Sequence, residues 1–326
     1  MESNSKIKLT NFSDLINKYK LFIFDCDGVI WVNYSLLNPS TDCLVKLHQE
    51  NKLVRFLTNN NRKSKSNIAD NIRKDKRLES IIKDNQVFTS SSITALHIKN
   101  NYPNIKKLYV IGNDNLSKEI NRYNIQTVNS YMFDDKYYNS EKENDETCIV
   151  DNDIDGVVAG YDKRINEFKL LYAQRAIIIR YNSNYDSNSN NNKRYFFGTN
   201  IDSYIKGNYG LMLGTYSIIS SIENSTNTKA EIVTKPDPRS LDLILKGVYE
   251  DIKGDSDIDC NDYKLELKDI LMIGDNMKTD IKFANNSKID SVLVLTGVTD
   301  EKVLNNSKHD SIYGVPTYIC KDLSVN

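Results

Sequence analysis

Two carboxylates stand two residues apart in Asp25-Cys26-Asp27-Gly28-Val29-Ile30-Trp31, where the apolar run Leu21-Phe22-Ile23-Phe24 stops. Residues i and i+2 share one face of a strand, and where a strand ends the chain curls, so both carboxylates can reach one crevice. A phosphoryl-transfer site would begin in this way. The same spelling also suits a plain acidic turn, with Gly28 permitting the sharp exit. A second run, Val54 to Leu57, delivers Thr58-Asn59-Asn60-Asn61 at its end. A hydroxyl, amides and freed backbone N–H groups suit a phosphate oxygen, and they equally suit a cap on the helix expected from Ser64. Farther on, Ile232-Val233-Thr234-Lys235-Pro236-Asp237-Pro238 sets a lysine among prolines that restrain where it points, although a surface lysine before a Pro-started helix has the same look. Finally Ile270-Leu271-Met272-Ile273 ends in Gly274-Asp275, with Asp280 five positions later. A helix-start carboxylate accounts for one of these aspartates more comfortably than for both.

Stepwise alternation of short apolar runs with longer amphipathic stretches supplies the elements that would position these groups. Runs at Leu21 to Phe24, Val54 to Leu57, Leu108 to Ile111, Val157 to Ala159, Ala176 to Ile179, Ile270 to Ile273 and Ser291 to Leu295 read as strands. A helical pattern near Thr41 to Glu50 joins the first two, and Leu241 to Val248 reads as another helix. The alternation predicts βαβ units around a parallel sheet, the α/β class. In an open parallel sheet the C-terminal strand ends converge on one crevice, so all four motifs would meet there. The mostly polar stretches Asp134 to Asp155, Asn182 to Lys193 and Lys253 to Asp262 read as surface insertions.

Composition narrows the function classes. With 326 residues the length suggests about two domains. The 43 basic and 44 acidic side chains nearly cancel, so no broad positive field is present to hold nucleic acid or an anionic membrane. No long apolar segment and no charged-then-apolar leader is visible, which makes the cytoplasm the default expectation. The five cysteines, Cys26, Cys43, Cys148, Cys260 and Cys320, are widely spaced and read as reduced thiols. His48, His97 and His309 lack metal-ligand spacing, which argues against zinc and leaves open a hard cation held by oxygen.

Taken in order, Asp25-x-Asp27, Thr58, Lys235 and Gly274-Asp275-x-x-x-x-Asp280 resemble the motif series of the haloacid dehalogenase-like (HAD) phosphatases. Only 32 residues separate Asp25 from Thr58, whereas 176 lie between Thr58 and Lys235, so the resemblance implies a type-2 cap inserted in the second interval. Within that branch the wording is similar to the eukaryotic 4-nitrophenylphosphatase, phosphoglycolate phosphatase and pyridoxal phosphatase group. The matching phrases include Leu57-Thr58-Asn59-Asn60, Val158-Ala159-Gly160-Tyr161-Asp162, Gly198-Thr199-Asn200-Ile201-Asp202 and Val294-Leu295-Thr296-Gly297-Val298-Thr299. The chain departs from the group at Thr234, before the lysine, and at Gly214-Thr215-Tyr216. The stretch Ser203 to Leu213, corresponding to the group's cap substrate loop, carries Tyr204, Lys206 and Tyr209.

The resemblance implies a Rossmann-like, doubly wound core at residues 1–100 and 230–326, with an inserted α/β cap at 101–229. It implies a phosphoric monoester hydrolase that holds Mg2+ through Asp25, Asp275 and the Asp27 backbone carbonyl, with Asp280 and Asn276 supporting from behind. Asp25 would be the nucleophile and Asp27 the acid and base, while Lys235, Thr58, Asn59 and Asn60 would hold the phosphate. Cys26 should point into the core. Small phosphate esters are the expected partners, phosphoglycolate and 4-nitrophenyl phosphate first, with pyridoxal phosphate or sugar phosphates as alternatives. A homodimer through the cap is implied by the group alone. A catalytically silent binding protein on the same fold would be expected to lose a charged member of the set, and none is missing.

Overall fold

A computed structural model describes residues 9–136, 148–178, 194–207, 210–254, 265–300, 304 and 314–325. Much of the three predicted surface insertions, together with Tyr209, Cys260 and His309, lies outside these residues. The chain divides into two compact units, one of residues 1–58, 64–89 and 235–326, the other of 59–63 and 90–234.

The first unit is built on a six-stranded parallel sheet in the spatial order Tyr318–Cys320, Asp290–Val294, Ile270–Gly274, Leu21–Phe24, Leu53–Thr58, Val87–Thr89. Its two central strands, Leu21–Phe24 and Ile270–Gly274, are apolar throughout because both faces are covered, as parallel sheets require. Phe22, Phe24 and Phe56 pack on one face with Leu44 and Leu47 of the helix Asn38–Gln49 and Ile68 and Ile72 of the helix Lys65–Ile72. The latter helix starts at Ser64, whose side chain accepts from Asn67 N–H in a reciprocal capping box. From Leu21–Phe24 the chain progresses in one direction through the sheet, and from Ile270–Gly274 in the other. These two neighbouring strands therefore flank the point where strand order reverses, and ligands of open α/β sheets bind outside the strand ends at such a point.

The second unit carries its own five-stranded parallel sheet, ordered Glu231–Ile232, Tyr195–Gly198, Gly156–Ala159, Lys107–Ile111, Gln126–Asn129. Alternation along Lys107–Ile111 sends Tyr109 and Ile111 to one face, against the helices Glu167–Ile178 and Thr215–Thr226. Leu108 and Val110 go to the other, against Ser90–Asn101 and Asp114–Asn121. An antiparallel hairpin, Tyr204–Gly207 with Gly210–Leu213, exposes Tyr204, Leu211, Met212 and Leu213.

Two sequence expectations change. The run expected as a strand from Ala176 is helical as far as it is described: Ala176 to Ile178 closes the helix Glu167–Ile178, whose buried Phe168, Tyr172, Ala173 and Ala176 recur at helical spacing, and Ile179 lies outside the described residues. The unit boundaries fall at 89/90 and 234/235, rather than at 100/101 and 229/230. The helix Ser90–Asn101 packs on Leu108 and Val110, and Glu231–Ile232 is an edge strand of the second sheet. Tyr216 and Thr234 are accommodated locally, Tyr216 donating to Glu223 (3.2 Å) and Thr234 to the Thr199 carbonyl (2.8 Å).

Candidate active site

Parallel pairing aligns Phe24 with Ile273, and Asp25 N–H extends the ladder to the Ile273 carbonyl at 2.8 Å. Asp25 and Asp275 thus leave two adjacent strands at the same level, beside the reversal point. Asp280 joins them from a single π-helical turn, Met277–Ile281, in which both Asp280 N–H (2.9 Å) and Ile281 N–H (3.3 Å) reach the Asn276 carbonyl. Wide turns of this kind recur at functional sites because they redirect one side chain. Gly274 makes room for the redirected residue, since a Cβ there would overlap Asp280. The three carboxylates each offer an oxygen within 4.8 Å of the other two, and all are buried.

Lys235 completes the cluster. Its Nζ donates to Asp25 Oδ1 at 2.6 Å and to Asp280 Oδ1 at 2.7 Å, with the whole side chain 1% exposed. The second oxygen of Asp280 accepts Asn276 N–H at 3.1 Å, so Asp280 is anchored at both ends. Three buried carboxyl groups face one ammonium, so they could not all ionise without leaving negative charge in excess. Burial pushes the Asp25 carboxyl well above the usual range; Lys235 pulls it back while Asp280 and Asp275 push it further up. Burial, then Asp280, raises Asp275 to about 7. Burial works against the charge on Lys235, yet Asp25 and Asp280 outweigh it and hold the ammonium above the ordinary lysine value. Beside burial, the crowding of carboxylates contributes to each of these shifts, and such crowding favours a positive partner. A hard divalent cation fits the all-oxygen donor set.

The structure separates the roles of other sequence-predicted residues. The carboxylate of Asp27 is exposed and lies outside the cluster, its Oδ1 accepting from the indole Nε1 of Trp31 at 2.9 Å. Gly28, at φ +83°, makes the turn that brings Trp31 back, with Gly28 N–H donating to the Trp31 carbonyl at 2.7 Å. Cys26 is fully buried among the core side chains, and burial, aided by Asp25 and Asp27, raises its thiol well above the ordinary value. Thr58 is buried at the end of its strand, paired in register with Thr89. Asn59 and Asn60 group with the second unit. The Asn59 carbonyl accepts from Ser90 Oγ and Asn200 Nδ2, both at 2.9 Å, and Asn60 Oδ1 accepts Arg62 N–H at 2.9 Å. Asn276 Oδ1 caps the π-turn through Lys278 N–H at 2.9 Å.

Sequence reasoning assigned no task to Trp31 or to the stretch Thr296–Thr299, although both lie within the quoted phrases. Val298 N–H donates to Asp275 Oδ2 at 2.6 Å, Thr299 N–H to the Asp275 carbonyl at 3.1 Å and Thr296 Oγ1 to the Gly28 carbonyl at 2.5 Å. The available signal was a glycine beside a hydroxyl residue directly after a strand.

Residues 22–126 match the family model described as haloacid dehalogenase-like hydrolase, and residues 232–325 match a HAD-hydrolase-like model. The chain is 29% identical over 299 residues to phosphoglycolate phosphatase 2 of Arabidopsis thaliana, covering 90% of this chain and 88% of that protein. It is 26% identical over 298 residues to the 4-nitrophenylphosphatase of Schizosaccharomyces pombe, covering 89% and 88%. In fold it is similar to the p-nitrophenyl phosphatase from Archaeoglobus fulgidus, with a TM-score of 0.72, 21% identity and coverage of 94% and 97%. The ordered motifs, the doubly wound sheet and the two matched segments together place this chain in the haloacid dehalogenase-like hydrolase family.

Proposed function

We propose that the protein is a Mg2+-dependent phosphatase of small phosphate monoesters, working through an aspartyl-phosphate on Asp25. The observation that carries this reading is the buried Asp25–Lys235–Asp280 bridge beside Asp275 at the strand-order reversal. Asp25, Asp275 and the Asp27 carbonyl would hold the cation, with Asp280 and Asn276 behind them; bound there, it would neutralise phosphate charge and let two anions approach. Asp25 would attack phosphorus as the ester oxygen departs, exchanging one P–O bond for another. Asp27, aimed by Trp31 and open to solvent, would protonate the departing alkoxide, then take a proton from the water that cleaves the acyl phosphate. Lys235 holds Asp25 in place, and with Thr58, Asn59 and Asn60 would steady the equatorial oxygens, since positioning and electrostatics dominate phosphoryl transfer.

The second unit we read as the type-2 cap, to which the choice among esters falls. Phosphoglycolate and 4-nitrophenyl phosphate are the first candidates, given the names of the relatives. Homodimerisation through this unit and a cytoplasmic location belong to the same reading. Among the described residues no helix is long and apolar enough to cross a membrane, and Cys26, Cys43, Cys148 and Cys320 are free thiols.

The decisive measurement is phosphate release from 4-nitrophenyl phosphate with and without Mg2+, for the wild type and Asp25→Asn. The wild type should turn over only with Mg2+, and the variant should lose at least about a thousandfold, as expected for a removed nucleophile. Equal rates in the two proteins would end the proposal. A panel of phosphoglycolate, pyridoxal phosphate and sugar phosphates, ranked by kcat/KM, would then identify the substrate class, and sedimentation would test the dimer.

A further inference from the structure

Asp275 is held by neighbouring backbone as well as by burial. Two separate pieces of backbone, Gly28 and the adjacent pair Gly297-Val298, converge on its Oδ2. Val298 N–H donates to it at 2.6 Å, and a Cβ added at either Gly28 or Gly297 would overlap it. The turn that delivers Gly297 and Val298 is itself fastened at both ends. Thr296 Oγ1 donates to the Gly28 carbonyl at 2.5 Å, and Thr299 N–H donates to the Asp275 carbonyl at 3.1 Å. The side chain of Val298 is 46% exposed, so this residue serves the site through its backbone.

We propose that the turn Thr296–Thr299 positions Asp275 as a one-oxygen metal ligand, and that the Thr296 hydroxyl is the clasp that keeps the turn in place. The inference rests on the reading that Asp25 and Asp275 hold the cation. With Oδ2 committed to the chain, rotation about the Asp275 carboxylate is blocked and Oδ1 is the oxygen left for the metal. Mg2+ demands near-ideal octahedral geometry and keeps several waters, so a carboxylate restricted to one oxygen suits it better than one free to chelate. By tying the turn to Gly28, Thr296 also links the Asp275 strand end to the Asp25-x-Asp27 loop. Thr296 is therefore a positioning residue that touches neither metal nor substrate.

Calorimetric titration of Mg2+ into the full metal-free chain tests this in the wild type, Thr296→Val and Thr296→Ser. Thr296→Val keeps the shape and removes the hydroxyl; its Mg2+ dissociation constant should rise about tenfold or more, the usual effect of losing a partner behind a metal ligand. Its metal-free melting midpoint should stay within a few degrees of wild type, and kcat should recover toward wild type at saturating Mg2+. Thr296→Ser should bind Mg2+ as the wild type does. If Thr296→Val does not fold, Thr296→Ala carries the same expectation. Unchanged Mg2+ affinity in the valine variant, or equal weakening in the serine variant, would overturn the positioning role alone. Absence of Mg2+ binding by the wild type would instead remove the underlying metal site, and the proposal with it.

Discussion

Asp25 and Asp27 were read together as a pair and they part company in the fold. Asp25 is enclosed by Lys235, Asp275 and Asp280, whereas Asp27 is exposed and held by Trp31. That division suits a nucleophile kept from water and an acid that exchanges protons with it. Trp31→Phe keeps the ring's bulk and deletes the N–H, so it should lower kcat about tenfold, a fraction of what a general acid supplies, while leaving Mg2+ affinity unchanged. Steady-state kinetics beside calorimetry checks this, and a weaker affinity with intact kcat would mean that Trp31 serves the metal side instead. The carboxylates and the lysine were legible through their order along the chain, since each alone also suits a turn, a cap or a surface lysine. Trp31 was not, because an indole beside a turn also reads as core, and its ring is indeed fully buried. The expectation that Cys26 packs inward needed only strand alternation.

Elements followed the sequence where the period was long enough to show. The strands Leu21–Phe24, Leu53–Thr58 and Ile270–Gly274, which bear three of the four motifs, and the helix Asn38–Gln49 stand where the patterns put them. Short strands such as Val87–Thr89 and Glu231–Ile232 did not register, since two or three residues carry no period. Ala176 to Ile179 misled for the same reason, a brief apolar run being equally a strand or the end of a buried helix. One strand holds an anomaly that its pattern conceals: Arg55 is 3% exposed, donates from Nη2 to Asp251 at 2.6 Å and leaves its Nε without a partner. Burial lowers the pKa of this guanidinium and Asp251 counters that. Asp251→Ala would strand the buried charge, so the protein should lose about 2–3 kcal/mol of stability. Denaturant unfolding measures it, and a loss below about 0.5 kcal/mol would show that Arg55 finds solvent when its partner is gone.

At the scale of the whole molecule, the insertion was legible in the spacing of the motifs, because 32 residues cannot hold a second domain and 176 can. Its edges were not, since which sheet a helix or a two-residue strand joins is decided by tertiary packing. Each unit has its own sheet and core, and the second is one nearly continuous stretch of chain. A chain cut after Thr234 should therefore keep slow amide exchange across the strands of residues 107–232 and lose it at Leu21–Phe24 and Leu53–Thr58. Loss of protection across the strands of residues 107–232 would refute that independence. The interior strand Leu21–Phe24 is sandwiched between Leu53–Thr58 and Ile270–Gly274, with 245 residues, 25–269, between it and its second neighbour. At ordinary ribosomal speeds that interval lasts roughly 10 to 50 s. Throughout it, a fully apolar strand edge waits beside the growing chain, which makes the nascent protein a natural client for chaperones that shield unpaired edges.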